Sequence, residues 1–338
     1  MNIIWFWVLS GMLAVYALLD GYDLGVGTLH LWIARGDEQR RTSLNAIGPV
    51  WNGNEVWLLA AGGMMVVSFP RVYASGFSGF YLALMVVLWL LILRGISIEF
   101  RSQLPHPLWR TFWDTGFWLG SLLVALLLGV ALGNVLRGLP VGADGYFQGT
   151  FTLLLNPYSL LTGIFALAAL AWHGTNYLRV KTEGEMLERS RKAASVLFWV
   201  ALALTLAATV ATFAVRQDAG VNFLAYPEGF VLPLLVVAGF VGGFIARTNE
   251  RDRLSLWSST AVIAGLLGSA ALTVYPNLLT STLNPAYSLT IYNAASSPRA
   301  LRDSLLANVV GMVAVILYMI YVHRTFSGKV QVREHGHY

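Results

Sequence analysis

Acidic side chains interrupt the apolar stretches in the first half of the chain. Asp20 and Asp23 lie one helical turn apart within the first long apolar run, and Glu55 is followed by fourteen residues without another charge. An acid at the centre of a membrane helix costs at least ~2.5 kcal/mol, so it needs a partner or water. Because carboxylates bind and release protons, this pattern predicts a protonatable, water-containing inlet.

Further polar residues lie at the ends of the neighbouring apolar runs. They are Asn52, Asn54, Arg94, Glu99, Arg101 and Asp114. A second interpretation follows from the two arginines, because Arg94 and Arg101 can neutralise the acids and hold helix ends together without taking part in chemistry. The sequence leaves both interpretations open, the structural ion pairs and the proton inlet.

The elements that position these residues are membrane helices. Of the 338 residues, 57% are hydrophobic and only 12% are charged, which excludes an ordinary soluble domain. The apolar runs are roughly twenty residues long, which matches the ~30 Å hydrocarbon core at ~1.5 Å of helix rise per residue. The chain is therefore predicted to be an all-α polytopic membrane protein.

The runs and their breakers predict nine transmembrane helices. Their approximate bounds are 3–32, 50–69, 73–98, 113–136, 157–178, 193–215, 227–247, 256–279 and 301–323. We expect a first four-helix bundle within 1–136, a second within 157–279, and a peripheral ninth helix with a tail in 301–338. Seventeen of the 22 Lys and Arg residues fall in alternate connections and the tail, so the positive-inside rule places the N-terminus outside and the C-terminus in the cytoplasm. By this topology the polar cluster lies toward the cytoplasmic ends of its helices.

Several classes of chemistry lack support in the sequence. There is no cysteine, which excludes disulfides, thiolate metal sites and iron–sulfur clusters. Nucleotide-binding and hydrolase motifs are missing as well. The net charge of +5 arises from loop residues and does not call for nucleic acid. Among the six histidines only His30 and His173 lie near the membrane, and they are predicted to be packing or interface residues rather than haem ligands.

Four segments resemble subunit II of the cytochrome bd-type quinol oxidases, including their cyanide-insensitive branch. They are DGYDLGVG at 20–27, GPVWNGNEVW at 48–57, FSGFY at 77–81 and LTIYNAASS at 289–297. The resemblance extends over essentially the whole chain. Two of these segments carry costly polar residues inside predicted spans, which makes a chance match improbable.

The resemblance implies a bacterial cytoplasmic-membrane complex that oxidises quinol and reduces O₂ to water, generating proton motive force without pumping. A larger subunit I would hold the quinol site, the b haems and haem d, or a third haem b in its place. Subunit II would hold no haem and no metal, and would form a heterodimer with subunit I in the lipid membrane. The resemblance leaves open whether a small single-helix subunit and a structural quinone are present.

The resemblance also implies roles for individual residues. A proton route would pass the position of Asn52 and Glu99, and Trp57 would lie near the oxygen entrance. This chain has Asn52 where well-known family members have Asp, and Glu55 where they have Gln. The carboxylate has moved by one helical turn. We therefore place Glu55 in the proton pathway beside Asn52, Glu99, Asp20 and Asp23, with Arg94 and Arg101 as ion-pairing residues.

Two other functions use the same features. A proton- or cation-coupled secondary transporter would also need intramembrane acids, although it predicts broken helices at the midplane in both halves. A subunit needed only for assembly would tolerate the loss of every acid in the cluster. Purification separates these functions, because an oxidase subunit brings a haem-bearing partner with it and a transporter is colourless.

Overall fold

The computed structural model describes residues 1–330, and these form a long bundle of helices with one small hairpin. The helices are α1 Asn2–Ile33, α2 Asp37–Ile47, α3 Trp51–Ser68, α4 Pro70–Gly79, α5 Tyr81–Phe100, α6 Pro107–Arg137, α7 Pro157–Lys181, α8 Gly184–Val215, α9 Val221–Ala225, α10 Val231–Thr248, α11 Asp252–Val274 and α12 Pro298–Thr325. The strands β1 Asn277–Leu279 and β2 Leu289–Thr290 pair antiparallel. The end of the predicted tail, residues 331–338, lies outside the described residues.

Seven helices of the described chain are long and apolar enough to cross a membrane. These are α1, α5, α6, α8, α11, α12 and α10 together with the short helical turn that precedes it. The prediction of an all-α polytopic membrane protein is confirmed. The helices α3 and α7 occupy two further predicted spans but carry more polar residues, so the count of nine spans, their orientation and the division into bundles stay predictions.

Local sequence signals explain where three of the long helices begin. Each starts with a proline at its first position, where the missing N–H is not needed. The residue before that proline caps the helix: His106, Asn156 and Ser297 accept hydrogen bonds from backbone N–H groups of α6, α7 and α12.

The helices α6 and α8 begin earlier than the predicted spans, at Pro107 and Gly184, and two other predicted spans contain a helix end within their bounds. The span predicted over 73–98 is divided into α4 and α5 after Gly79, where an added Cβ atom would lie 2.8 Å from Phe147 Cβ and 2.9 Å from its ring atom Cγ. The span predicted over 256–279 ends at Val274 because Pro276 cannot continue a helix. The residues that follow form β1 instead, with Asn277 opposite Thr290.

The backbones of α1 and α7 come into direct contact where the two helices cross. A Cβ atom added to Gly25 would lie 1.9 Å from the Leu170 carbonyl oxygen, and one added to Gly174 would lie 2.4 Å from the Gly25 carbonyl carbon. Only glycine allows backbones to approach this closely. The first and second halves of the chain therefore come into backbone contact along α1 and α7.

The ends of α1 and α12 are tied together near the hairpin. Trp5 is fully buried there, and its indole nitrogen donates to the Leu301 carbonyl oxygen at 2.8 Å. Asn2 donates to the carbonyl oxygen of Ile291, just after β2, at 2.7 Å. This apolar region closes the end of the bundle opposite the polar cluster.

The predicted orientation can be tested with a fusion after Tyr338. A fluorescent reporter that matures only in the cytoplasm should give a signal at this position because the charge distribution places the C-terminus inside. A periplasm-dependent reporter at the same position serves as the control and should be inactive. A dark fluorescent fusion with an active periplasmic reporter would reverse the orientation.

Candidate functional site

Three carboxylates surround one guanidinium group where α1, α3 and α5 meet. Asp20 and Arg94 form a bidentate ion pair, in which Nη1 donates to Oδ2 at 3.1 Å and Nη2 donates to Oδ1. Arg94 also lies 4.0 Å from Asp23 Oδ2 and 3.5 Å from Glu55 Oε1. The structure thus brings together four of the residues that the sequence singled out, and we call them the Arg94 cluster.

The members of the Arg94 cluster differ in access to the surface. Asp20, Asp23 and Arg94 are fully buried, whereas the Glu55 side chain is 20% exposed. Glu55 begins the second turn of α3 and reaches Arg94 from the edge of the bundle. The carboxylates therefore form a series from a partly exposed group to two buried groups, with Arg94 between them.

Asn54 connects Asp23 to an aromatic pair. Its side-chain amide donates to Asp23 Oδ2 at 2.7 Å and to the Tyr22 hydroxyl at 2.9 Å. The Tyr22 ring stacks on Tyr177 with ring centroids 4.1 Å apart, and its hydroxyl lies 3.2 Å from His323 Nε2. Neither Tyr22 nor His323 is among the site residues predicted from the sequence. The position of Tyr22 between two aspartates was the available signal.

Several buried polar atoms around the cluster have no hydrogen-bond partner within the described chain. They are Tyr16 Oη, Asp23 Oδ1, Asn54 Oδ1, Trp57 Nε1 and Arg94 Nε. Buried polar atoms nearly always have partners, because an unsatisfied donor or acceptor costs about 1–3 kcal/mol. The interior of the bundle is therefore more polar here than its own side chains satisfy.

A second buried ionic cluster lies at the neighbouring helix ends. Asp114 accepts hydrogen bonds from Arg101 Nε at 2.5 Å and from Arg40 Nη1 at 2.9 Å. His30 Nε2 lies 2.8 Å from the same carboxylate. Arg101 also reaches Asp37 at 2.9 Å. The ionic role predicted for Arg101 thus has a specific partner in Asp114, and three cationic or basic groups from α1, α2 and the end of α5 converge on one carboxylate.

Two predicted pathway residues lie apart from the Arg94 cluster. Asn52 and Glu99 are on exposed faces of α3 and α5 in the single chain. Trp57 is buried beside Met12 and Ala61, one helical turn further along α3 than Asn54. Their predicted roles in proton and oxygen access stay predictions.

Both membrane histidines use their two ring nitrogens within the protein. His30 contacts Ser43 Oγ at 3.2 Å in addition to Asp114, and His173 contacts Ser259 Oγ at 2.8 Å and the Leu18 carbonyl oxygen at 2.9 Å. A ring nitrogen must be free to ligate iron. The surroundings of these two residues therefore do not fit a haem, and residues 1–330 contain no group of three His, Asp or Glu side chains that could hold a metal ion.

The second half of the chain has an aromatic core in place of a buried acid cluster. Trp172, Phe198 and Phe240 pack together, with the rings of Trp172 and Phe240 stacked 5.7 Å apart. The ion pairs of this half lie at helix ends, where Arg179 and Arg191 both bind Asp252. The candidate site is consequently restricted to the first half.

This fold and this buried ionic site define a multi-pass helical membrane protein. Residues 1–326 match the family model described as cytochrome bd terminal oxidase subunit II. The probable cytochrome oxidase subunit 2 of Haemophilus influenzae is 34% identical, over 97% of this chain and 95% of that protein. The cytochrome bd-I ubiquinol oxidase subunit 2 of Escherichia coli K12 is 32% identical, over 98% of this chain and 95% of that protein.

The chain belongs to the cytochrome bd terminal oxidase subunit II family. A chain of the bd oxidase from Geobacillus thermodenitrificans shares the fold, with a TM-score of 0.80, 17% identity and coverage of 96% of this chain and 98% of that one. The resemblance carried by the four sequence segments is therefore confirmed. The protein is a multi-pass bacterial inner-membrane subunit of an oxidoreductase complex, which implies a partner subunit.

The structural importance of the second cluster can be tested with Asp114→Asn. This change leaves Arg101 buried without its main counter-charge, and breaking a buried ion pair costs about 3–5 kcal/mol. We expect a lower thermal midpoint and a lower yield of the purified complex. The matched control is Asp303→Asn, which removes exposed ion pairs to Arg299 and Arg302 that are worth about 0–1 kcal/mol. Equal midpoints for the two variants would contradict this role.

Proposed function

We propose that this subunit holds no haem and delivers protons from the cytoplasmic side to the site of O₂ reduction in the complex. The observation that carries the proposal is the Arg94 cluster itself, which links the partly exposed Glu55 to the buried Asp20 and Asp23. The b haems, haem d or a third haem b, and the quinol site then belong to the partner subunit.

Charge balance in the cluster supports proton uptake. Arg94 offers one positive charge to three carboxylates, and no other cation of the described chain forms an ion pair with Asp20, Asp23 or Glu55. Full ionisation would leave two uncompensated negative charges among apolar helices, which is costly. A proton held in the cluster relieves this charge, and Arg94 keeps the remaining carboxylates in place.

The proposed direction of uptake fits the chemistry of the reaction. Reduction of O₂ to water consumes protons, and protons taken from the cytoplasm make the reaction electrogenic without a pump. The chain would contribute the inlet through Glu55, and the exposed Asn52 and Glu99 would order water at the entrance or at the contact with the partner.

Oxygen access through this subunit is a separate part of the proposal. O₂ is apolar and partitions into lipid, and the residues of α3 that follow Glu55 carry no charge. Trp57 lies on the inner face of this apolar part of α3, against Met12 and Ala61. It would form one edge of a passage from the lipid toward the partner subunit.

The transporter is not favoured as an alternative. It would need comparable intramembrane sites in both halves, whereas the second half has the aromatic core of Trp172, Phe198 and Phe240. The family of the chain also favours an oxidase subunit.

The inlet can be tested with Glu55→Gln, which is nearly isosteric but cannot exchange a proton. We expect assembly and haem content to be retained, and quinol-driven O₂ consumption per haem to fall by about tenfold or more, the scale of one proton-transfer group. Asn52→Asp combined with Glu55→Gln restores a carboxylate one turn away and should recover much of the rate.

The control for this experiment is Glu228→Gln, which changes an exposed glutamate in the turn before α10. It should leave the rate per haem unchanged. If Glu55 serves only as a partner of Arg94, Glu55→Gln will lower the yield and stability while turnover per haem stays at the parental value. That outcome would discard the inlet role of Glu55.

The placement of haem outside this chain gives a spectroscopic prediction. His30→Ala and His173→Ala should leave the haem absorption spectrum of the assembled complex intact, because both ring nitrogens of each histidine are used within the protein. Visible spectra normalised to assembled complex provide the measurement. Selective loss of one b-type band in either variant would show that this chain ligates haem.

A further inference from the structure

A hydrogen-bonded connection leads from the exposed end of α12 to buried Asp23 without passing Glu55. His323 is an exposed residue in the last turn of α12, and its Nε2 lies 3.2 Å from the Tyr22 hydroxyl. Asn54 donates to this hydroxyl at 2.9 Å and, from the same amide nitrogen, to Asp23 Oδ2 at 2.7 Å. Three side chains thus connect the surface to a carboxylate of the Arg94 cluster.

The backbone of α12 fixes the proton arrangement of the neutral His323 ring. Its Nδ1 lies 2.9 Å from the carbonyl oxygen of Met319, and a carbonyl can only accept a hydrogen bond. Nδ1 therefore carries the proton, so Nε2 is the acceptor and the Tyr22 hydroxyl is the donor in their contact. Tyr22 in turn accepts from Asn54, so all of its hydrogen-bonding directions are defined.

The ring of Tyr22 is held in place, so only its hydroxyl proton is free to turn. Tyr177 stacks on the ring with centroids 4.1 Å apart, and the Tyr177 hydroxyl is itself fixed by donating to the Ala46 carbonyl oxygen at 2.8 Å. Tyr22 is buried within the apolar cluster between α1, α2 and α7. A change at His323 is therefore transmitted through the direction of one O–H bond.

We propose that His323 is a positioning residue for the proton inlet, and that its protonation state sets the hydrogen bonding of Asp23 through Tyr22. This inference rests on the proposed function of the Arg94 cluster. When His323 takes one proton from water, Nε2 becomes a donor to the Tyr22 oxygen. Tyr22 stays neutral and its O–H bond turns away from the imidazole.

The two residues that follow Tyr22 in this connection each carry an unsatisfied acceptor. Asp23 Oδ1 and Asn54 Oδ1 are buried and have no partner in the described chain. In the proposal, the O–H bond of Tyr22 turns from His323 toward this side of the connection. No covalent bond of Tyr22 breaks, and the only proton gained by the protein is the one on His323.

Other charged and titratable groups surround this contact and share its environment. They are Asp20 and Asp23 on α1, Tyr177 and Lys181 on α7, and Arg324 beside His323 on α12. Lys181 is held by the Phe326 carbonyl oxygen and lies over the Tyr177 ring, 5.8 Å from its centroid. The ordinary charge change of an imidazole group falls between pH 5 and 8, which sets the pH range of the test.

The test compares the pH dependence of O₂ consumption per haem in the intact complex. His323→Gln keeps hydrogen-bonding capacity but cannot titrate. We expect the ratio of its rate to the parental rate to change by roughly threefold or more between pH 6 and pH 8, the range in which an imidazole changes charge. Tyr22→Phe removes the connecting hydroxyl and should give the same altered profile, with no further change in the double variant.

His106→Gln is the matched control. His106 is an exposed histidine in the connection before α6, away from the cluster, and the variant should keep the parental profile. A rate ratio for His323→Gln that is constant across this pH range would overturn the proposal. So would independent, multiplicative effects of the His323 and Tyr22 changes.

A second measurement does not depend on turnover. Infrared difference spectra of the resting complex between pH 6 and pH 8 should contain a tyrosine C–O band shift, because this band responds to a hydroxyl that changes its hydrogen-bond partner. The shift should be missing in both His323→Gln and Tyr22→Phe, and its persistence in either variant would contradict the proposal.

The two proposals fail separately. If Glu55→Gln keeps the parental rate while His323→Gln alters the pH profile and the infrared shift, the inlet through Glu55 is wrong and the α12 connection remains. If Glu55→Gln slows turnover and His323→Gln changes neither readout, the inlet stands and the role of His323 is discarded.

Discussion

Burial of the Arg94 guanidinium among carboxylates of two other helices is the constraint on which the first half of the molecule depends. A charge in an apolar bundle must be offset nearby, so α1 and α3 have to bring Asp20, Asp23 and Glu55 to one point on α5. The packing of α6 makes this approach possible. A Cβ atom on Gly120 would lie 3.0 Å from the Leu90 carbonyl oxygen and 3.3 Å from Arg94 Cβ, so α5 could not come as close to a larger residue.

Much of this arrangement could be predicted from the sequence, because a polar residue within an apolar helix needs a polar partner or water. The runs gave the approximate positions of the long helices, and the cost of intramembrane charge predicted that the acids of α1 and α3 would meet arginines. The choice of partner could not be predicted. The sequence does not show which acid either arginine contacts, and only the packing of the helices shows that Arg94 binds Asp20 while Arg101 binds Asp114.

Local helix breaks and contacts between distant segments could not be predicted from the sequence. Hydropathy is insensitive to local breaks, so it continued a span through Pro276 and across Gly79, where backbone geometry and the Phe147 ring end or divide a helix. Contacts between distant segments were also hidden. His323 and Tyr22 are 301 positions apart, and no periodicity of either helix indicates that the end of α12 lies over the aspartates of α1.

The backbone contact between Gly25 and Gly174 has a consequence for what the interior can contain. Since α1 and α7 touch there without intervening side chains, the seam between the two halves is closed at this level to anything as wide as a porphyrin or a quinone ring. A cofactor of that size therefore has no path between α1 and α7 at the level of Gly25 and Gly174.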